Sequence, residues 1–465
     1  MRISFLRVFL CVLSVSAVHS AEPEVARLLA DVIRIDTSNP PGNEGKLAEF
    51  LKSRFAGLGF EIDIVPTPQA GKAHFIARLR GDGSKRPILL AGHEDVVGVE
   101  REKWSVDPFA GLIREGYVWG RGAIDFKGGL AVFAQAVLDI AKSKRPLARD
   151  IIFLAEADEE GGAYGTRFLA DQAWNKIDCE FALNEGGWII KDAAGQVQYV
   201  SISTADKSGI SLVLTARGTS THSSMPLADN AIFALSRALA KLSAYDTRPK
   251  LTESTREFFL TLADTNPEPM RTHFRNLATS DDPKLIAEAD RAISRNTLFH
   301  AIMRNTIAPV LLSAGFRGNV IPGSAEATIN FRTIPGTTAA ELVDEIKTVI
   351  ADPSIEVKPV AGRAPGNTAA PAPRESPKSG ILYDALVKHA KATYPGARVT
   401  PYLFQAGTDA AAWRSRGVPV YGIYPYPITS QDLERMHGND ERVPVASLES
   451  GLRMITNVLI EVAGK

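Results

Sequence analysis

Ile151-Ile152-Phe153-Leu154-Ala155-Glu156-Ala157-Asp158-Glu159-Glu160-Gly161-Gly162 is the stretch on which the fold class turns. A short apolar run bounded by Arg149-Asp150 and ending in acids and glycines reads as a strand buried on both faces, with carboxylates at its C-terminal end. Adjacent carboxylates repel, and burying them is costly unless a cation sits among them. The plain alternative is a solvated acidic loop. The choice depends on what other strand ends bring to the same place.

Two further apolar runs end in the same way. Pro87-Ile88-Leu89-Leu90-Ala91-Gly92 stops at His93-Glu94-Asp95, and Phe181-Ala182-Leu183-Asn184 stops at Glu185-Gly186-Gly187. Between them a glycine-rich loop, Gly120 to Gly129, contains Asp125. An amphipathic helix follows, with Leu130, Phe133, Ala134, Val137, Leu138 and Ala141 on one face. Strands alternating with helices indicate an α/β sheet, whose ligands gather beyond the carboxyl ends of strands.

From about Lys207 the pattern changes. Residues 208–216 alternate, 230–245 are helical, and 252–296 form a charged, mostly helical stretch. Strands at 306–314 and 325–333, a helix at 339–350 and a strand at 355–360 complete an α+β module with its own antiparallel sheet. Residues 362–377, rich in Pro, Gly and Ala, read as a return linker. The last hundred residues resume apolar strands, including Val418 to Tyr424, and end in a helix over 446–462. The expected organisation is a catalytic domain in two segments, 21–206 and 362–465, with a lid domain, 207–361, inserted between them.

The N-terminus is different. Met1 to Arg7 is basic, residues 8–18 are apolar, and Val18-His19-Ser20 offers small residues at −3 and −1. Residues 1–20 read as a secretory signal peptide cut after Ser20, too short for a permanent membrane anchor. An exported chain, periplasmic or secreted, follows. Cys179 is then the only cysteine left, and it reads as a small buried residue. Lys+Arg and Asp+Glu both total 53 in 465 residues, which excludes bulk charge steering toward nucleic acid or a membrane surface.

A borderline dication such as zinc takes imidazole nitrogen and carboxylate oxygen, and two such cations need a bridging carboxylate. His93, Asp125, Glu160, Glu185 and His437 are the candidate ligands; each is weak evidence singly, and their joint placement beyond apolar strands carries the case.

Seven motifs in order then resemble the co-catalytic di-zinc exopeptidases and amidohydrolases, a family that includes glutamate carboxypeptidase, acetylornithine deacetylase, succinyl-diaminopimelate desuccinylase, aminoacylase and carboxypeptidase S-like enzymes. The motifs are His93-x-Asp95, Gly120-Arg-Gly-x-x-Asp125-x-Lys127-Gly-Gly, Asp158-Glu159-Glu160-x-Gly, Asn184-Glu185-Gly-Gly, Gly218-x-x-x-His222-Ser-Ser-x-Pro226, Gly318-Asn319-Val-Ile-Pro322 and Met436-His437-Gly438-x-Asp440-Glu441-Arg442.

The resemblance implies a mixed central sheet flanked by helices, with a ferredoxin-like lid that allows a homodimer. It implies two Zn2+ per subunit, with Co2+ or Mn2+ as substitutes: His93 and Glu185 on one, Glu160 and His437 on the other, and Asp125 bridging. Asp95 would accept the second ring N–H of His93. Glu159 would be the general base toward a bridging water; the reverse assignment of Glu159 and Glu160 is the alternative. His222 would stabilise the oxyanion, from its own subunit or a partner's, or else is a capping or surface histidine. Asn319 and Arg332, thirteen residues apart, would bind a substrate carboxylate with the Gly407-Thr408-Asp409 loop, or Arg332 forms a structural salt bridge.

Two departures stand out. Glu94 is an extra acid beside His93, expected to point away from the metals, and Glu185 stands where several members have Asp. The implied activity is hydrolysis of an amide beside a free C-terminal carboxylate, as in a carboxypeptidase or dipeptidase. The alternatives are an N-acyl-amino-acid amidohydrolase and a catalytically silent peptide- or metal-binding member. The substrate is a small peptide or N-acyl amino acid.

Overall fold

In the computed structural model, residues 22–162, 164–360 and 375–465 are described. The expected signal peptide and most of the return linker lie outside them. The Ile151–Glu156 strand is central to the large sheet and buried along its whole length. Its alternate side chains feed two different cores: Ile151, Phe153 and Ala155 join one apolar cluster, Ile152 and Leu154 the other. That two-sided burial is why its sequence is nearly continuous in apolar residues.

Among the described residues the sheet has ten strands. Ile88–His93 pairs in parallel with Ile151–Glu156 on one side and Phe181–Asn184 on the other. Val420–Gly422 continues the parallel set, while Phe60–Pro66 and Ala73–Leu79 add antiparallel strands at one edge. The sheet is therefore mixed, as expected. The helices Glu24–Ile33, Lys127–Ser143, Ile381–Thr393 and Val445–Ala463 cover one face, and Thr166–Ile177 with Trp413 covers the other. Cys179 is buried in the second cluster. No described helix is long and apolar enough to cross a membrane.

The smaller sheet runs Thr306–Ala314, Ser324–Thr333, Ser208–Arg217, Ile355–Pro359, antiparallel throughout, with the helices Ala231–Ser243 and Ala339–Ile350 packed on it. This is the ferredoxin-like order. A single residue, Lys207, separates Val197–Asp206 of the large sheet from Ser208–Arg217 of the small one.

Two expectations are corrected. The run Val418 to Tyr424 is a strand only over Val420–Gly422, because Pro419 and Pro425 flank it. The helical stretch between the first two lid strands packs away from the lid core. Phe258, Phe259, Leu262, Phe274 and Leu277 belong to the large cluster, and the Phe258 ring lies 5.1 Å from Tyr402 and 5.6 Å from Tyr199 on two paired strands of the large sheet. Helical periodicity shows which face of a helix is buried; it does not show against what.

Candidate metal centre

The parallel pairing sets His93 opposite Glu156. This places the end of one strand beside the turn that follows the other, and Glu185 follows the third strand directly. The segment with His437 reaches the same place because Arg442–Pro444 pairs with Tyr117–Trp119. All five candidate ligands thus converge from separate parts of the chain.

Asp125 is the centre of the group. Its Oδ1 lies 3.2 Å from His93 Nε2, and its Oδ2 lies 3.0 Å from His437 Nε2. Glu185 Oε2 is 3.5 Å from His93 Nε2, and Glu160 Oε1 is 3.2 Å from His437 Nε2. One carboxylate oxygen therefore faces each imidazole, and one further acid stands beside each. Two ligand atoms about 2.1 Å from a shared zinc at the tetrahedral angle would sit roughly 3.4 Å apart, and these separations are of that size. His93, Asp125 and Glu160 each offer a ligand atom within 4.8 Å of the others. Among the described residues the buried Glu160 Oε1 has no hydrogen bond to set against its approach to His437. A donor set of two imidazoles and three carboxylates, one oxygen of it orphaned, fits a pair of divalent cations.

The charges lean on one another. Burial pulls the His93 imidazole down, but Asp125, Asp95 and Glu185 outweigh it and hold it well above its usual value. Asp125 and Glu160 push His437 up to about 10. Burial drives Glu185 up to about 7 against the pull of His93. Burial, with Glu185, Asp409 and Glu160 nearby, raises Glu159 well above the carboxylate range. Among the described residues no hydrogen bond or ion pair joins the Glu159 side chain to either imidazole; Glu160 alone of the two faces one.

Asp95 departs from the expected arrangement. The His93 Nδ1 lies 2.9 Å from the Asp95 backbone carbonyl and 3.6 Å from its Oδ1. The carboxylate is taken up by the Glu159 and Glu160 amides at 3.1 and 3.0 Å and by Asn39 Nδ2 at 2.8 Å. Asp95 thus shapes the turn that carries Glu159 and Glu160. Asp158, in a left-handed conformation at φ 65°, closes that turn from behind. It pairs with the buried Lys72 ammonium, accepts Asn39 Nδ2 at 2.8 Å and the Tyr164 amide at 2.6 Å. Glu94 is buried, and among the described residues neither of its carboxylate oxygens has a hydrogen-bond partner; burial, Glu44 and Asp95 push it well above the carboxylate range.

The lid residues form two separate pairs. His222 and Asn319 lie together on the short ladder Thr221–His222 with Val320–Ile321, where the Ser223 amide donates to the Asn319 carbonyl at 3.0 Å. His222 is exposed, its Nδ1 2.7 Å from Ser224 Oγ, and no described contact links it to Asp125 or its neighbours. Arg332 meets the Gly407 loop instead: a Cβ placed on Gly407 would lie 3.8 Å from Arg332 Nη1. Lys207 is buried beside them, its ammonium donating to the Ala301 and Arg304 carbonyls at 2.7 Å each. Burial, with Arg332 and Arg304 adjacent, lowers it to about 7.

Three residues without an assigned role in the motifs hold the centre together. Glu441 accepts the amides of Gly122, Ile124 and Asp125 and an Arg121 guanidinium N–H. Lys127 donates to the Val32 and Ile35 carbonyls at the end of the first helix. Their positions inside the Gly120 and Met436 motifs were the available signal.

The sequence matches the family model described as peptidase family M20/M25/M40 over residues 89–461. It is 32% identical to the probable carboxypeptidase S-like 2 of Dictyostelium discoideum, over 78% of this chain and 69% of that protein. It is 29% identical to the Homo sapiens N-fatty-acyl-amino acid synthase/hydrolase PM20D1, over 83% of this chain and 76% of that protein. The fold is also that of the M20 family metallo-carboxypeptidase Sso-CP2 from Sulfolobus solfataricus, with a TM-score of 0.69 at 18% identity, covering 95% of this chain and 99% of that one.

Proposed function

This chain belongs to peptidase family M20/M25/M40 and is a metallohydrolase, and from that premise we propose that it is an exported two-zinc enzyme cleaving an amide beside a free carboxylate. The observation that carries the reading is Asp125 set between two imidazoles, with Glu160 beside one of them and Glu159 beside neither.

His93 and Glu185 would hold one cation, Glu160 and His437 the other, with Asp125 shared. Cations held there supply Lewis acidity, polarising the amide carbonyl and lowering the pKa of water. Glu159 then takes the proton from the attacking water and returns it to the leaving nitrogen. It can serve because the Asp95 carboxylate fixes its backbone while its own oxygens stay outside the ligand set. Arg332, with the Gly407 loop, anchors the substrate carboxylate. His222 and Asn319 serve the developing oxyanion when a lid, its own or a partner's, closes on the site.

Asp125 and the two imidazoles suit zinc, cobalt or manganese, and supply of each metal in turn would rank them. Export rests on residues 1–20, and the size of the secreted chain would test it. A homodimer through the lid rests on the edge strand Thr306–Ala314, where Val310, Leu311 and Leu312 are 55%, 68% and 69% exposed. A monomer by light scattering would remove it.

The decisive experiment is Glu159→Gln. It should keep two cations while turnover falls by about 100- to 10,000-fold; an active variant would end this mechanism. N-acyl-amino-acid hydrolysis is the second reading, favoured by the similarity to the PM20D1 hydrolase. A panel varying the N-terminal group and the C-terminal residue independently separates it from peptide cleavage, and activity on neither, with both metals bound, would indicate a silent binding member.

A further inference from the structure

Tyr424 looks like a core aromatic in the run Val418 to Tyr424, and its ring is fully buried. It cannot swing. Trp188 stacks on it at 4.1 Å with planes 13° apart, and Phe126 meets it edge-on at 5.2 Å. Its amide donates to the Gly187 carbonyl at 2.6 Å. Phe126 follows Asp125 directly, and Gly187 and Trp188 follow Glu185 closely, so the groups that hold the ring belong to the same loops as two candidate ligands.

The hydroxyl is aimed at those ligands. It lies 3.0 Å from Asp125 Oδ1 and 2.9 Å from Glu185 Oε2. These are the two oxygens that face His93 Nε2, at 3.2 and 3.5 Å. A glutamate has one more torsion to freeze than an aspartate, and a fixed hydroxyl at its oxygen removes that freedom. On the other side, among the described residues, Glu160 Oε1 has no such donor.

We propose that Tyr424 is the positioning residue of the His93-side cation: its hydroxyl locks the Asp125 and Glu185 oxygens together and makes that position the tighter of the two. The proposal rests on the two-cation reading above. Tyr424→Phe removes the hydroxyl and leaves the ring in its stack. Partners of this kind set metal affinity by roughly 10- to 100-fold.

The test is titration of the metal-free protein with Zn2+ against a chelator, for wild type, Tyr424→Phe and Tyr402→Phe. The last loses a buried hydroxyl bonded to Gln405 at 3.1 Å, which donates to neither Asp125 nor Glu185, and serves as control for loss of a buried hydroxyl. Wild type should bind two cations, and Tyr402→Phe should match it. Tyr424→Phe should show one dissociation constant raised roughly 10- to 100-fold and the other unchanged. In a His437→Ala background, which leaves only the His93 side, Tyr424→Phe should show the whole loss; in His93→Ala it should show none. Both constants unchanged, or both weakened equally as from a general loosening, would overturn the role of Tyr424 while leaving the two-cation reading intact. Fewer than two cations on wild type would overturn both. The melting temperature of metal-free Tyr424→Phe, expected to match wild type, separates a lost hydroxyl from a lost fold.

Discussion

Arg121 Nη1 lies 2.6 Å from Glu441 Oε2, across 320 residues of sequence, with both side chains buried. Arg121 also donates to the His437 and Gly438 carbonyls, and Glu441 accepts the Asp125 amide. The loop bearing the shared carboxylate and the segment bearing the second imidazole are therefore one rigid piece. Removing one partner of a buried pair leaves a charge without compensation. Glu441→Ala should cost about 3–5 kcal/mol in denaturant unfolding of the metal-free protein. A loss below 1 kcal/mol would mean that the two loops do not depend on each other.

Asp125 and Glu160 should differ in what they take with them. Asp125→Asn weakens the shared ligand and should lower the affinity of both cations, whereas Glu160→Gln should lower only one. Metal content after dialysis against a chelator reads the difference. Equal losses from both variants would contradict a shared position for Asp125.

Arg332 should matter only to substrates that carry a carboxylate. A hydrogen bond to a charged group contributes about 1.5–3 kcal/mol, so Arg332→Met should lower kcat/KM roughly 10- to 150-fold. The same variant assayed on the carboxamide analogue should show no further loss. A penalty of equal size on both substrates would return Arg332 to a structural role.

Lys207 gives the junction between the sheets a pH dependence with a definite sign. Its pKa falls from 10.5 to about 7 on folding, by burial first and then by Arg332 and Arg304. Between those values the unfolded chain binds more protons, so stability rises with pH across the window, by up to about 1.4 kcal/mol per unit, and the penalty is complete below pH 7. Unfolding free energies of wild type and Lys207→Met should converge between pH 7 and 9, with wild type gaining. A constant difference would show that the ammonium is not penalised there.

The helical insert should behave as part of the large domain's core. Phe258 packs against Tyr199, Tyr402 and Phe299, so Phe258→Ala should cost about 3–5 kcal/mol. Loss of the insert's protection from hydrogen exchange without any effect on Val197–Asp206 would show that it folds by itself.

Much of this centre was readable because polar residues at the ends of apolar runs are conspicuous. His93, Glu160 and Glu185 follow parallel strands, and the strand pairing alone brings them together. Asp158 was different: its role depends on Lys72 and Asn39, which no local pattern ties to it. Tyr424 was hidden for the opposite reason, since an aromatic in an apolar run is ordinarily core and only its hydroxyl marks it out. The Asp95 carboxylate was misassigned because residue spacing cannot distinguish a ring N–H that meets a carbonyl from one that meets the side chain. The insert was misplaced because its apolar face has no address in the sequence.

The ligands run from His93 to His437, and the last of them reaches the centre only when Arg442–Pro444 pairs with Tyr117–Trp119. A chain that stops short of His437 carries all three candidate acids, Asp125, Glu160 and Glu185, but only one of the two candidate imidazoles, His93. On the two-cation reading, the pair would be complete only once that last described strand has paired, so finishing the fold would be what finishes the site.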